Sequence, residues 1–283
     1  MRRPAVAGLF YPDSAQALHE QIDVCFTHPL GPPALSSLKE DGPRQILGLI
    51  TPHAGYAYSG PVAAHAFAAL ASDGRPDVVV IVGPNHRGLG APIAIAPSGA
   101  WQTPLGDVDI DEEVAQEIAV RTSLARRDSL AHLAEHSIEV QVPFLQYVYG
   151  ERFRLVPIVL RDAHFDACLE IGEAIGAAVE GKNVVLIAST DFTHYESHES
   201  AIRKDRQALD AIEQLDAGEL RQVIEDGRIT MCGPGAVATV LAACKHLGAR
   251  SASVLRYATS GDISGDYSSV VGYAAVQIVS SPS

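Results

Sequence analysis

Three histidines occur just beyond the ends of apolar, β-branched segments of the sequence. His53, His86 and His194 lie in the polar stretches 52–56, 83–88 and 189–195. In open α/β sheets, ligand sites form beyond the carboxyl ends of the strands, where loops distant in sequence converge. Imidazole binds transition metals and exchanges protons near neutral pH. The sequence therefore predicts one site built from these loops.

Cys232 is a fourth candidate, because it precedes a helix predicted to begin near Gly235. Pro234 suits the first turn of that helix, and the helix dipole and free amides at such an end favour a thiolate. A thiolate beside the imidazoles of His53 and His86 makes a three-ligand site for a transition metal, with positions left open. The alternative is two ordinary loop histidines and a buried cysteine in a helix cap. The residues alone leave the two interpretations balanced.

Asp191 and His194 stand three residues apart in one loop. His194 is a candidate acid or base, and Asp191 a candidate ligand or hydrogen-bond partner of a ligand. A pair that only stabilises the loop would have the same spacing, so both interpretations stay open.

Glu135, His136 and Glu139 stand at the start of a helix predicted over Ser137–Tyr149. The two glutamates are one turn apart, which places them on one helix face. They predict either a wall of the site or the acidic residues that commonly stabilise a helix N-terminus, and neither interpretation prevails.

Residues next to the two histidine ligands are further candidates for the pocket wall. Tyr56 follows His53 and could stack on an aromatic ligand. Asn85 and Arg87 flank His86, and Arg87 is a candidate for binding an anion.

The elements that position these residues alternate between strands and helices. Strands are predicted at Ile46–Thr51, Val78–Val82, Ile93–Ala96, Arg154–Val159, Val184–Ala188, Ser253–Tyr257 and Val270–Ile278. Helices are predicted at Ser14–Phe26, Gly60–Leu70, Asp111–Arg121, Ser137–Tyr149, Asp166–Val179, Glu199–Gln214, Gly218–Asp226 and Gly235–Leu247. This alternation predicts an α/β fold with a mixed or largely parallel central sheet flanked by helices. Residues 31–42, rich in Pro, Ser and Gly, are predicted to form a surface loop, and residues 1–283 a single domain.

Composition and charge limit the function classes. Of 283 residues, 47% are hydrophobic and 19% charged, which allows a sizeable core. The net charge of −13 argues against a nucleic-acid partner. No apolar run reaches the roughly 18 residues of a membrane span, and the first residues lack the apolar segment of a signal peptide. We therefore expect a cytoplasmic protein that does not bind membranes.

The remaining cysteines predict core packing rather than chemistry. Cys25, Cys168 and Cys244 stand at helical spacing from apolar residues, where a cysteine behaves as a small hydrophobic side chain. Four cysteines without a CxxC pair are too few for a disulfide scaffold in a chain of this length.

The polar segments, taken in order, resemble the Memo family, also described as protein B of the AmmeMemoRadiSam system. The resemblance spans nearly the whole chain and is carried by residues 3–12, 52–60, 83–86, 135–141, 190–195, 232–233 and 259–267. It implies a fold similar to that of the class III non-haem iron extradiol dioxygenases (LigB-like). The ordered combination of these segments is far more specific than any one of them.

The resemblance also implies a metal bound by His53, His86 and Cys232, with Asp191 and His194 lining the same pocket. Iron and copper are associated with the family, so one of these is the expected cofactor, with zinc as a further candidate. Cys232 stands where the dioxygenases have a carboxylate. A thiolate is softer, and it accepts Cu(I) or Zn as well as iron.

The candidate site residues and the resemblance together suggest three alternative functions. The first is a metal-dependent redox protein or oxidoreductase acting on an unidentified small molecule, anionic or phenolic. The second is a non-catalytic binding or adaptor module using the same pocket, which the resemblance implies because a eukaryotic member is described as an adaptor that engages a phosphotyrosine peptide. The third is an extradiol dioxygenase of catecholic substrates. The name of the system further implies AMMECR-type and radical-SAM proteins as partners.

Overall fold

The computed structural model describes residues 1–33, 35, 38–39, 44–161 and 164–280. Its strands are β1 (Ile46–Thr51), β2 (Val78–Pro84), β3 (Ile93–Ile95), β4 (Ala100–Thr103), β5 (Gly106–Asp109), β6 (Arg126–Arg127), β7 (Arg154–Leu160), β8 (Val184–Ser189), β9 (His194–Glu196), β10 (Ser251–Thr259) and β11 (Val270–Val279). Nine of these described strands form one sheet in the order β10-β11-β1-β8-β2-β7-β3-β6, with β9 paired to β11, while β4 and β5 form a separate hairpin.

The centre of the sheet is parallel and its margins are antiparallel. Strands β1, β8, β2 and β7 are parallel neighbours. Strand β11 runs antiparallel to β1, β10 to β11, and β3 to β7. Thr51 at the end of β1 is in register with Ser189 at the end of β8. Because parallel strands end at the same edge, the loops after β1, β8 and β2 meet there.

Helices cover both faces of this sheet. They are α1 (Ala15–Thr27), α2 (Tyr56–Asp73), α3 (Glu112–Arg121), α4 (Val142–Tyr149), α5 (Phe165–Val179), α6 (His198–Glu213), α7 (Ala217–Gly227), α8 (Pro234–His246) and α9 (Ser260–Ser264). Alternate strand residues enter two cores, because successive side chains point to opposite faces. Leu49 packs with α1, α2 and α4, whereas Ile50 packs with α5 and α8. Each such side chain, fully buried, stabilises the fold by about 1.5–3 kcal/mol.

The α/β class with a mixed central sheet is confirmed, and every predicted strand and helix has a counterpart in the described residues. The short elements β4, β5, β6, β9 and α9 were not predicted, because two to five residues are too few to show a period. The predicted loop at 31–42 lies partly outside the described residues. The single domain stays a prediction. None of the described helices is both long and apolar enough to cross a membrane.

Two helix starts differ from the prediction by more than one residue. Helix α2 begins at Tyr56 rather than at Gly60, because Gly55 ends the loop and the first turn forms immediately after it. The segment predicted as one helix from Ser137 instead has a 3-10 turn over Glu139–Gln141, followed by α4. Glu135 therefore precedes the helix, and it does not share a helical face with Glu139.

Candidate metal centre

The parallel strands deliver the candidate ligands to one edge of the sheet. His53 lies two residues beyond β1, His86 two residues beyond β2, and Asp191 two residues beyond β8. Cys232 joins them from the segment before α8, which packs closely on the end of β8. A Cβ at Gly233 would lie 2.8 Å from the carbonyl oxygen of Ser189, so this approach requires glycine.

The structure brings His53, His86 and Cys232 together. One donor atom from each, an imidazole nitrogen or the sulfur, lies within 4.8 Å of the other two. Cys232 Sγ lies 3.2 Å from His53 Nε2. His53 is buried, with 2% of its surface exposed, whereas the side chain of His86 is 32% exposed.

A neutral hydrogen-bond network fixes the protonation of the His53 ring. Ser189 Oγ donates to the carbonyl oxygen of Ser137 at 2.6 Å and accepts from Gln141 Nε2 at 2.9 Å. The hydroxyl has one proton, so its remaining contact, to His53 Nδ1 at 2.9 Å, is an acceptor. Nδ1 therefore carries the proton, and the lone pair of Nε2 faces the site.

A carboxylate does the same for His86. Glu135 Oε1 accepts from His86 Nδ1 at 2.9 Å and from the backbone N–H groups of His136 and Ser137, each at 2.8 Å. Burial acts to raise the pKa of Glu135, but the hydrogen bond and the charge of His86 outweigh it and lower the pKa to about 2. An ionised carboxylate only accepts, so Nδ1 of His86 carries a proton, and in the neutral ring Nε2 is the nitrogen left with a lone pair.

The surroundings of the Cys232 thiol differ from those that the sequence predicted. Its sulfur accepts the backbone N–H of Asp191 at 3.1 Å, while the N–H of Gly233 at the start of α8 donates to Thr190 Oγ1 instead. Burial, followed by the nearby charge of Asp191, raises the pKa of the thiol above its ordinary value. Burial therefore opposes the thiolate that the helix end is expected to favour. A bound cation would deprotonate a coordinating thiol outright.

Asp191 and His194 occupy the same loop but have different surroundings. Asp191 is buried, Oδ1 accepts the backbone N–H of His53 at 2.8 Å, and burial raises the pKa of the carboxyl to about 6. His194 Nδ1 lies 2.7 Å from the carbonyl oxygen of Phe192 and 2.9 Å from that of Thr230. Both partners are acceptors, so Nδ1 of His194 is protonated, and in the neutral ring Nε2 is the nitrogen with a lone pair.

An open cavity of about 470 Å³ lies over these groups. His53, His86, Cys232, Asp191 and His194 all line it, together with His136, Phe10, Tyr195 and Tyr273. The His136 ring stacks on His86, with centroids 4.6 Å apart, and lies edge-on to His53 at 5.4 Å. Burial lowers the pKa of His136 to about 4, so its imidazole is neutral near pH 7.

Four residues predicted for the pocket do not line this cavity. Tyr56 is buried, and its hydroxyl donates to the carbonyl oxygen of Val140 at 2.6 Å, because the first turn of α2 directs it into the core. Asn85 accepts the N–H groups of its own loop. Arg87 Nε donates to the carbonyl oxygen of Ala134 at 3.1 Å. Glu135 lies behind His86 rather than in the wall.

The sequence did not point to Ser189, Gln141, Phe10 or Tyr273. Gln141 and Phe10 lie within segments that carry the Memo resemblance, and Ser189 is the last residue of β8. The sequence shows that these residues are polar or aromatic. Their contacts join elements that are far apart in the chain, and no local sequence pattern indicates such contacts.

The donors fit a transition metal. Two atoms that each bind one ion at about 2.0–2.3 Å can be no more than about 4.6 Å apart. The donor atoms of His53, His86 and Cys232 lie within 4.8 Å of one another, so only a small movement of these side chains is needed to bind one ion. Two imidazoles with free Nε2 lone pairs and one sulfur form a donor set suited to iron, copper or zinc.

Comparisons with known proteins agree over nearly the whole chain. The model of the family described as Memo-like protein matches residues 2–277. A MEMO1 family protein of Methanopyrus kandleri is 50% identical over 277 residues, which cover 97% of this chain and 98% of that one. A MEMO1 family protein of Sulfolobus acidocaldarius is 47% identical over 281 residues, with 98% and 99% covered.

Among solved structures, an uncharacterized protein from Escherichia coli K12 is similar with a TM-score of 0.54 and 14% sequence identity. The match covers 82% of this chain and 99% of that one. At this identity the similarity concerns the fold alone.

Proposed function

The chain belongs to the Memo family, and we propose that it is a metal-dependent redox protein acting on a small molecule. His53, His86 and Cys232 would bind the metal. The observation that carries this proposal is the convergence of three donor atoms within 4.8 Å, with both imidazoles held as Nδ1–H tautomers. Loops that met only for packing would not need two imidazole nitrogens and a sulfur this close together.

Iron or copper is the proposed ion, with zinc as the third candidate. A thiolate with two imidazoles suits all three, and three protein ligands leave positions open for a small molecule. When bound, such an ion would supply those open positions and, as iron or copper, one-electron chemistry.

The surrounding residues support ligand binding at those positions. His194 is the candidate proton acceptor, because it lines the cavity and, with Nδ1 donating to two carbonyl oxygens, its neutral ring has the lone pair on Nε2. Asp191 braces two ligands at once, since its carboxylate accepts from the His53 backbone and its own N–H donates to the Cys232 sulfur. Phe10 and Tyr273 give the cavity apolar walls that suit a phenolic ring.

Extradiol cleavage of catechols ranks below this proposal. Dioxygenases of the facial-triad kind bind Fe(II) through two histidines and a carboxylate. Here the third donor is a sulfur, and Asp191 is not part of the three-donor group.

Elemental analysis of protein purified without oxygen tests the proposal. We expect close to one iron or copper per chain in the wild type, and a loss of most of it in Cys232→Ser. The matched control is Cys244→Ser, which removes a buried sulfur from α8 that faces Gly48 and not the site. Equal metal content in wild type and Cys232→Ser, with both folded by circular dichroism, would contradict the ligand assignment.

A second measurement separates a redox protein from a binding module. Metal-loaded protein is mixed with a panel of phenols and catechols while oxygen consumption and visible absorbance are recorded. A redox protein consumes oxygen, and ring cleavage adds strongly coloured products. Binding without any consumption would instead support the adaptor function.

A further inference from the structure

Arg2 is buried between the N-terminal segment and the loop that carries Glu135. Its side chain is 6% exposed. Nε donates to the carbonyl oxygen of His132 at 2.7 Å, and Nη2 donates to that of Glu135 at 2.5 Å. A guanidinium holds five N–H donors in one rigid plane. One side chain thus fixes two carbonyl groups of the same loop at once.

The guanidinium is itself held from several sides. Nη1 lies 2.7 Å from Glu139 Oε2, and the central carbon lies 4.1 Å from the centroid of the Trp101 ring. The backbone N–H of Arg2 donates to the carbonyl oxygen of Ala100, and its own carbonyl accepts from the N–H of Gln102, both at 2.8 Å. A buried charge that is paired, stacked and anchored through its backbone has little freedom to move.

Glu139 ties down the rest of the N-terminal segment. Its carboxylate accepts the backbone N–H groups of Ala5 and Val6 and the hydroxyl of Tyr11, at 2.6–3.0 Å. It is 1% exposed. Residues 2–11 therefore form a fixed structure against residues 132–139, and we call it the N-terminal brace.

Glu135 connects the brace to the candidate metal centre. Its carbonyl oxygen accepts from Arg2, while its carboxylate accepts from the ring and the backbone N–H of His86. A shift of the Glu135 backbone would carry the carboxylate with it. The hydrogen bond that fixes the His86 tautomer therefore depends on where Arg2 holds that backbone.

We propose that Arg2 is a positioning residue of the metal centre, which sets the His86 imidazole in place through Glu135. The proposal rests on the proposed metal-binding function. Arg2 does not line the cavity, so its effect reaches the ligand only through the loop.

Co(II) binding tests this positioning role. Full-length wild type, Arg2→Gln, Arg2→Lys and Arg3→Gln are titrated with Co(II) without oxygen, with a competing chelator to obtain Kd and with the thiolate-to-Co(II) absorption band as a report on the site. Arg3 is the matched control, because it is the neighbouring arginine and its side chain is exposed. We expect Arg2→Gln to raise Kd roughly tenfold and to alter the band, and Arg3→Gln to stay within about twofold.

Arg2→Lys separates positioning from charge. An ammonium keeps the positive charge beside Glu139 but cannot hold two carbonyl groups in a fixed plane. Arg2→Lys should therefore recover more of the thermal unfolding midpoint than of the Co(II) affinity. Full recovery of the affinity would show that charge alone is needed, and it would overturn the proposal.

The metal-free protein supplies an independent readout. The His86 Nδ1–H proton, bonded to Glu135, should give a slowly exchanging NMR signal in wild type and Arg3→Gln, and it should be broadened or lost in Arg2→Gln. An unchanged signal together with an unchanged Kd in Arg2→Gln would overturn the proposal.

The two proposals fail in different ways. If no protein in the series, wild type included, binds Co(II), the proposed function is wrong. In that case loss of the His86 signal in Arg2→Gln alone would still support the positioning role, and its retention would refute it.

Discussion

His53 and His86, with the residues that hold their rings, form a buried arm and an exposed arm of the candidate centre. Both rings donate through Nδ1, but to partners of different kinds. His53 is buried and donates to a neutral hydroxyl, which belongs to a network of Ser189, Gln141 and the Ser137 backbone. His86 is 32% exposed and donates to an ionised carboxylate, Glu135. In the neutral form of each ring the proton is on Nδ1, which leaves the lone pair of Nε2 for a ligand.

The difference shows how burial and charge are balanced in one site. The His53 ring lies in the core, where the hydrogen bonds that hold it run through the neutral side chains of Ser189 and Gln141. The His86 arm lies at the surface and uses a buried carboxylate, which is tolerated because N–H groups of the His86 backbone, His136 and Ser137 also donate to it. The first arm depends on packing, and the second on electrostatics.

The largest expected effect is a two-step loss of stability with falling pH in the metal-free protein. Burial lowers the pKa of His53, and that of His136 to about 4, so these two rings make stability fall between about pH 6.5 and 4. Burial raises the pKa of Asp191 to about 6, so this carboxyl acts in the opposite direction between about pH 6 and 3.8 and offsets part of that loss. Glu135 has its pKa lowered to about 2, so the stability it contributes above about pH 4.5 is lost between about pH 4.5 and 2. The shift of His136 or of Glu135 corresponds to at most about 3 kcal/mol.

Urea unfolding at a series of pH values measures these two steps. His136→Asn should reduce the upper step, and Glu135→Gln should remove the share of Glu135 in the lower one. An upper step of the same size in wild type and in His136→Asn would show that the His136 imidazole does not distinguish the folded from the unfolded chain.

The next largest effect concerns the carboxylate of the exposed arm. Glu135→Gln keeps the shape of the side chain but removes the charge that orients the His86 ring, so metal affinity should fall about 10- to 100-fold. Chelator competition with Co(II) measures it, and Glu180→Gln, an exposed glutamate away from the site, is the control. An affinity within twofold of wild type would mean that His86 is positioned without Glu135.

The buried arm should respond less in affinity and more in stability. Ser189→Ala leaves His53 Nδ1–H and one Gln141 N–H without an acceptor, which costs about 1–3 kcal/mol in the free energy of unfolding. The ring stays packed, so metal affinity should fall less than about tenfold. Ser137→Ala is the matched buried control, because its hydroxyl contacts only the Pro84 carbonyl among the groups described for it. A larger loss of affinity than in Glu135→Gln would reverse the contrast between the arms.

The part of the site that the sequence could predict follows from the sheet. β-Branched runs identify β1, β2 and β8, and parallel order brings the residues after them to one edge, which is why His53, His86 and Asp191 were found together. Cys232 was found because a Pro and a Gly mark the start of α8. These signals are local in the chain, and only their convergence is a property of the fold.

The remainder depended on contacts that no local pattern contains. The hydrogen bond between Arg2 and Glu135 joins residues that are 133 positions apart in the sequence, and that between Gln141 and Ser189 joins residues 48 positions apart. Tyr56 was expected in the pocket because it stands near His53, but the start of α2 at this residue directs its ring into the core. The sequence did not reveal the burial of the Cys232 thiol, which raises its pKa and opposes the thiolate expected at a helix end.

The smallest expected effect is that of Arg87, although it is adjacent to His86. Its Nε donates to the Ala134 carbonyl, its backbone N–H donates to Asn85, and the residue is exposed, so it supports the outside of the loop in a region where water screens its charge. Arg87→Ala should therefore change Co(II) affinity by less than about twofold, an order of magnitude below Glu135→Gln. The same chelator competition at about 0.15 M salt measures it. A tenfold change would mean that the exposed arm is held from the solvent side as well as through Glu135, and that adjacency to a ligand matters more than burial in this site.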